Sequence, residues 1–303
     1  MNNRTVQIQS VLYNNEKWAL KRALDSVKNA VRVNRGSGYV ADRVTVCYGD
    51  ASREPIFSEE DVLRWQQDYS EFFDFKYIFF NENTGSAKGH NKIAETCISE
   101  YMVIMNPDVI VCPVFFEKMM KPFIEDAGST VGMTEARQTP VEHPKRYDRS
   151  TLETDWAATA CAMFKTSDFR ALNGFDSDTF FLYCDDLDFS WRMRLLSKKI
   201  LYIPDCPVFH SKNLSSSGEW QPTSAEVYYS AEAALLMAYK WSNKKRFELL
   251  YNQFKNSGNS INKKAVEHFD ELKKAGRLPK QLDKEQKVAR FVGDCYTEHR
   301  FNL

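Results

Sequence analysis

The chain has 303 residues, 43% apolar and 27% charged, the composition of a soluble globular protein with one large domain or two ordinary ones, and not of a disordered, collagen-like or disulfide-dense chain. Lys plus Arg and Asp plus Glu both number 41, but residues 241–303 hold 14 of the basic and only 8 of the acidic residues. An acidic body lacks the footprint that nucleic acid requires, so no nucleic-acid partner is expected; the basic end suits an anionic membrane surface, held peripherally, or contacts in a homo-oligomer.

Val6–Tyr13 is partly alternating and reads as a strand. Glu16–Val33 carries apolar residues at 20, 23, 24, 27, 30 and 31, one helical face. Arg43–Tyr48 is a second strand, ending in Gly49-Asp50-Ala51-Ser52. Residues 59–73 read as helix, Lys76–Phe80 as strand, and a helix is expected from near Gly89 to Ser99. Tyr101–Met105 is a continuous apolar run, as in a strand buried on both faces, and stops at Asn106-Pro107-Asp108. This alternation predicts a parallel α/β sheet, and its polar strand ends are expected to converge on one ligand crevice. Neither a GxGxxG nor a GxxxxGK[ST] loop is present, which argues against dinucleotide-binding and P-loop folds.

Residues 134–155 are polar and read as a long loop, and 156–165 are apolar. Helices are expected at Ser224–Trp241, Lys244–Lys255, Lys263–Ala275 and Lys284–Cys295, with a boundary near 220 that divides the chain into 1–220 and 221–303. The N-terminus has no apolar signal core, and the seven cysteines form no CxxC pair. A reducing, cytoplasmic setting is expected.

Four motifs carry chemistry. A carboxylate at a strand end, Asp108, suits Mg²⁺ or Mn²⁺. Asp185, Asp186 and Asp188 crowd three acids into four positions among Phe180, Phe181, Tyr183 and Trp191. Such surroundings raise a carboxyl pKa and suit a base, although acids in a first helical turn also suit the helix dipole. Pro204 to His210 ends a strand-like run in a candidate ligand. Asn83 to Asn91 is a glycine-bearing loop before a helix N-terminus, a place that favours phosphate.

In this order the motifs resemble those of the inverting GT-A glycosyltransferases of family 2. The correspondence runs through Tyr13-Asn14, Asp50-Ala51-Ser52, Asn83 to Asn91, Asn106 to Val109, Gly174-Phe175-Asp176, Asp185 to Arg192 and Pro204 to His210, covering about residues 5–215. The Asn-Pro-Asp-Val form is most similar to the rhamnosyltransferase and galactofuranosyltransferase subset that builds bacterial surface polysaccharides. The resemblance implies a Rossmann-like GT-A domain with a C-terminal helical extension. It implies a UDP- or dTDP-sugar donor, Mn²⁺ or Mg²⁺, and a glycan or lipid-linked acceptor. Tyr13, Asn14, Asp50, Asn83, Gly85, Lys88, Asn91 and Asn106 would meet the donor, and Asp108 and His210 the metal. Asp186 would be the base, with Asp185 orienting the acceptor or tuning it. Trp156, Thr159, Tyr183 and Arg192 would line the acceptor side, with core packing the alternative for Trp156 and the aromatics at 180–183, and balance of the local negative charge a role for Arg192. The chain departs from the pattern in Asp185-Asp186 for Glu-Asp, Gly49-Asp50-Ala51 for Asp-Asn-Gly, Asn106 for Asp and Thr159 for Gly. Two other readings are a sugar nucleotidyltransferase and a silent sugar-binding or scaffold protein. The first normally carries a Gly-rich basic loop where Tyr13-Asn14-Asn15-Glu16 stands. The second would not need Asp108, Asp186 and His210 together.

Overall fold

The computed structural model describes residues 4–39, 43–142, 145–210, 216 and 221–291. Strand β1 (Val6–Leu12) is flanked by parallel β2 (Val44–Asp50) and β4 (Tyr101–Met105), with β3 (Asp74–Phe79) beyond β2. Past β4 the sheet continues through antiparallel β8 (Cys161–Lys165), then β6 (Val131–Thr139), β9 (Lys199–His210) and β5 (Val109–Val111). A two-residue strand, β7 (Glu153–Thr154), pairs with β9. The parallel half therefore meets at β4 a half in which β8 and β5 run antiparallel to their neighbours while β6 and β9 pair parallel, and the sheet is mixed rather than wholly parallel as the strand–helix alternation predicts.

Side chains of β4 alternate between two cores. Tyr101, Val103 and Met105 pack with α1 (Lys17–Asn34), α2 (Glu59–Tyr69) and α4 (Phe115–Glu125). Met102 and Ile104 pack with α3 (Gly85–Glu95), α5 (Thr166–Ala171) and α6 (Asp185–Leu195). Helix α6 is buried on two sides. Phe189 and Met193 face the sheet, whereas Leu187 and Trp191 join a third core with α7 (Ser224–Lys240), α8 (Lys244–Lys255) and α9 (Ser260–Lys274). Helix α7 starts where Thr223 and Glu226 form a reciprocal capping box. No helix among the described residues is long and apolar enough to cross a membrane.

Several expectations change. Residues 134–139 are not loop but part of β6, held between β8 and β9. Their polar side chains have partners inside. Thr134 Oγ1 donates to Met119 O at 3.2 Å, and Glu135 pairs with Lys145 at 2.8 Å. Helix α3 begins at Gly85 rather than Gly89, because Gly85 adopts φ +62 and turns the chain into the helix. Elements β5 and α4 are unread in the sequence, where Pro122 inside α4 obscures the helical pattern. Residues 284–291 are not helical. The Asp283 carboxylate gathers the amides of Lys287, Val288 and Ala289 at 2.8–2.9 Å into a turn instead. Residues 292–295 of that expected helix, and residue 220 at the expected boundary, lie outside the described residues.

Candidate active site

The strand ends do form a corner. The antiparallel register of β5 on β9 puts Val109 opposite His210, so Asp108 and His210 meet although 102 positions separate them. His210 Nε2 lies 3.6 Å from Asp108 Oδ1 and 3.1 Å from Asn106 Nδ2, while its Nδ1 lies 2.8 Å from Gln138 Oε1. A carboxylate oxygen and an imidazole nitrogen converge, a donor pair that fits a divalent cation such as Mn²⁺. Among the described residues no set of three His, Cys, Asp or Glu forms a ready-made metal cage. Substrate oxygens and water would have to complete any coordination, as is usual where a diphosphate is bound.

Two turns extend the crevice along β1 and β2. Asn14 takes the left-handed conformation (φ 54) and donates its amide to Ser52 Oγ at 2.8 Å, so the two strand ends are laced together. Tyr13 beside it is half exposed. Asp50 does not face the crevice as expected of a donor contact. It is fully buried and accepts from the amides of Ser52 and Ile56, at 2.9 and 2.8 Å, and from the Tyr77 hydroxyl. Its carboxylate builds the turn from inside.

The N-terminus of α3 lies against the segment that leads into α6. Ser86 N donates to Phe181 O at 3.0 Å, and a Cβ on Gly85 would sit 2.4 Å from that same oxygen. Only glycine fits this approach. Asn83 Oδ1 accepts from Gly85 N at 3.3 Å, which tightens the loop, and exposed Lys88 pairs with Glu82 at 2.9 Å. Asn91 braces the loop of Gly174. It accepts from Phe175 N at 2.9 Å and donates to Phe175 O at 2.8 Å, and a Cβ on Gly174 would strike it at 2.4 Å.

Helix α6 is entered through two successive left-handed residues, Tyr183 (φ 65) and Cys184 (φ 58). Such backbone costs about 1–3 kcal/mol per residue and persists only where the surroundings enforce it. Tyr183 is tied down by its hydroxyl, which donates to Glu226 of α7 at 3.1 Å. The turn then delivers three acids into three environments. Asp188 is fully buried. It is held by Arg192 Nε at 2.7 Å, Lys240 Nζ at 2.6 Å and Trp241 Nε1 at 3.0 Å. Asp186 is 9% exposed, with Oδ1 fixed by the amide of Leu187 at 2.7 Å. Asp185 accepts from the Ser86 side chain, and its Oδ2 has no hydrogen-bond partner among the described residues. Burial first, and the neighbouring Asp186 charge second, push the Asp185 carboxyl well up, to about 7.

The two corners share one support. Asn106 N donates to Ala160 O at 2.9 Å. Ala157 N donates to Ser190 Oγ at 3.0 Å, and that hydroxyl donates to Asp186 O at 2.8 Å. The stretch 157–160, with buried Thr159, thus joins the metal-suited corner to the acidic turn. Of the expected acceptor residues, Trp156 is internal and Arg192 is held by partners within the protein. Trp156 is 2% exposed, and the Lys145 ammonium lies 3.3 Å from its ring centroid. The Arg192 guanidinium is engaged by Asp188 and by the carbonyls of Leu172 and Gly174 at 2.8–2.9 Å. A cavity of about 320 Å³ adjoins this lock, lined by Asn91, Asp176, Ser177, Asp178, Arg192 and Lys240; its walls include neither Asp108 and His210 nor Asp185 and Asp186.

Sequence reasoning misses Ser86, Gln138, Lys240 and Trp241. The last two stand more than fifty positions after the acids they hold. Lys240 also pairs with Asp176 at 2.6 Å, so the third residue of Gly174-Phe175-Asp176 belongs to the same lock.

A Rossmann-like sheet whose strand ends meet an acidic helix turn defines the GT-A class of nucleotide-sugar transferase folds. Solved structures agree with it. The mannosyltransferase PcManGT from Pyrobaculum calidifontis aligns with a TM-score of 0.57 at 16% identity, covering 93% of this chain and 77% of that one. GalNAc-T7 aligns with a TM-score of 0.60 at 11% identity, covering 94% of this chain and 57% of that one. Residues 11–202 match Glycosyl transferase family 2, and the chain belongs to that family. Rhamnosyltransferase WbbL of Escherichia coli K12 is 34% identical over 67 residues, which span 22% of this chain and 25% of that relative.

Proposed function

We propose that this protein is an inverting glycosyltransferase. It moves a hexosyl or deoxyhexosyl group from a UDP- or dTDP-sugar to a hydroxyl of a glycan or lipid-linked glycan, in the synthesis of a bacterial surface polysaccharide. The observation that carries this reading is the 157–160 stretch, which couples the Asp108–His210 corner to the Asp185–Asp186 turn. One corner suits a leaving diphosphate and the other suits an attacking hydroxyl. The partial likeness to a rhamnosyltransferase supports the sugar class, and the neighbours complexed with GDP-Man or UDP and Mn²⁺ support the donor class and the cation.

Asp108 and His210 would hold Mn²⁺ or Mg²⁺, which when bound neutralises charge on the leaving diphosphate. Tyr13 and the Asn14–Ser52 turn border the donor side. Asp186 accepts the proton of the acceptor hydroxyl. That oxygen forms a bond to the anomeric carbon as the bond from carbon to the β-phosphate oxygen breaks, and the electron pair leaves with the diphosphate. Attack from the opposite face inverts the configuration. Asp185, protonated more readily than an ordinary carboxylic acid, orients the hydroxyl by hydrogen bonding. Exposed Lys263, Lys264, Lys273 and Lys274 on α9 support a peripheral seat on anionic lipid; replacing the four by Glu should reduce sedimentation with phosphatidylglycerol vesicles.

A panel of nucleotide sugars tests the reading. Hydrolysis or transfer of one UDP- or dTDP-sugar should depend on Mn²⁺ or Mg²⁺ and stop in EDTA. Cleavage of none of them would overturn the donor assignment, and full activity in chelator would overturn the role of Asp108 and His210.

A further inference from the structure

We propose that Gln138 is a positioning residue that sets the His210 tautomer, and so presents His210 Nε2 as a metal ligand. The proposal rests on the reading of His210 as a ligand given above. Gln138 lies near the end of β6, 6% exposed, in register with Val208 of β9. Its Oε1 is 2.8 Å from His210 Nδ1. A carbonyl oxygen only accepts, so Nδ1 carries the proton and donates it. A neutral imidazole then keeps its lone pair on Nε2. On the other side of the ring Asn106 Nδ2, a donor, lies 3.1 Å from Nε2 and agrees with this tautomer, while Asp108 Oδ1, an acceptor, lies 3.6 Å away, beyond hydrogen-bond distance. Two amides on opposite edges of the ring thus specify one tautomer, with the lone pair turned toward Asp108.

Gln138 is itself secured. Its backbone amide donates to Glu142 Oε1 at 2.9 Å, and Glu142 Oε2 accepts from the Tyr202 hydroxyl at 2.6 Å. The next residue, Thr139, donates its hydroxyl to Val208 O at 2.9 Å. The strand end that carries Gln138 is therefore stapled to the strand that carries His210. A ligating imidazole commonly needs such an outer partner to fix its orientation and raise its basicity.

The test uses Mn²⁺ as the probe, with UDP present and no turnover, and follows free Mn²⁺ by electron paramagnetic resonance. Gln138→Met keeps the length and removes the acceptor; it should weaken Mn²⁺ binding roughly 10- to 100-fold. Gln138→Glu still accepts from Nδ1 and should restore affinity to within a few-fold of wild type. Long-range ¹⁵N–¹H spectra should show the Nδ1–H tautomer of His210 in the wild type and in Gln138→Glu, and a shift toward Nε2–H in Gln138→Met. If Gln138→Met binds Mn²⁺ as wild type does while His210→Ala does not, Gln138 does not position the ligand. If His210→Ala also binds normally, the ligand reading of His210 fails first. An Nε2–H tautomer in the wild-type protein would overturn the proposal even if Gln138→Met did not fold.

Discussion

The two corners of the crevice are built in opposite ways. The strand-end corner holds one carboxylate and one imidazole, brought together by β5 pairing with β9 and steadied by the neutral amides of Asn106 and Gln138. The helix corner holds three carboxylates in four positions, and pairing within its own segment cannot neutralise them. It imports Lys240 and Trp241 from the end of α7, which lock Asp188 beneath the turn. The C-terminal helices are thus part of the site's electrostatics as well as its packing. With Asp188 neutralised below, Asp185 and Asp186 can be held at the lip.

The contrast breaks first on stability. Asp188→Ala leaves Arg192 and Lys240 facing a buried gap and should cost roughly 3–5 kcal/mol. Asp108→Ala removes a partly exposed acid from a loosely spaced pair and should cost under about 1 kcal/mol. Denaturant melts of both variants measure the difference; equal losses would mean that the two corners are not built differently.

Lys240→Met sharpens the same point. It should destabilise by less than Asp188→Ala, because Arg192 and Trp241 still reach Asp188. Its effect in an Asp188→Asn background should be smaller than in the wild type, since contacting partners are non-additive. Additive losses would show that Lys240 acts through Asp176 alone.

The pH dependence of stability is the third test. Burial and Asp186 raise the Asp185 carboxyl, so the folded chain holds that proton more tightly than the unfolded chain does. The stability from this group is present at low pH and is lost as pH climbs from about 4 to about 7, with no further change above. Asp185→Asn should therefore melt at a higher temperature than wild type at pH 8 and at nearly the same temperature at pH 4. A constant offset across that range would contradict the raised carboxyl.

Local chemistry decides what can be read from the sequence here. The strands ending at Leu12, Asp50 and Met105 announce themselves by apolar runs that stop at turn residues; Asp108 and His210 stand out as an acid and an imidazole at strand ends, and Asp186 as an acid in a crowded helix turn. Strand β6 is hidden because Thr134, Glu135 and Gln138 look like loop residues until Met119, Lys145 and His210 are folded against them. Asp50 and Arg192 look available for ligands for the converse reason. The groups that engage them, Tyr77 for one and Asp188 with two backbone carbonyls for the other, are assigned by packing and not by spacing.

The central claim is the division of labour on α6, with Asp186 as base and Asp188 as support, and turnover of Asp186→Asn tests it most directly. The substitution keeps the shape and removes the basicity. Turnover with the identified nucleotide sugar should fall roughly a hundredfold or more, while the melting temperature and donor affinity stay close to wild type. Near-normal turnover in Asp186→Asn, with Asp185→Asn or a folded Asp188→Asn inactive, would contradict the assignment and move the base to another acid of the turn.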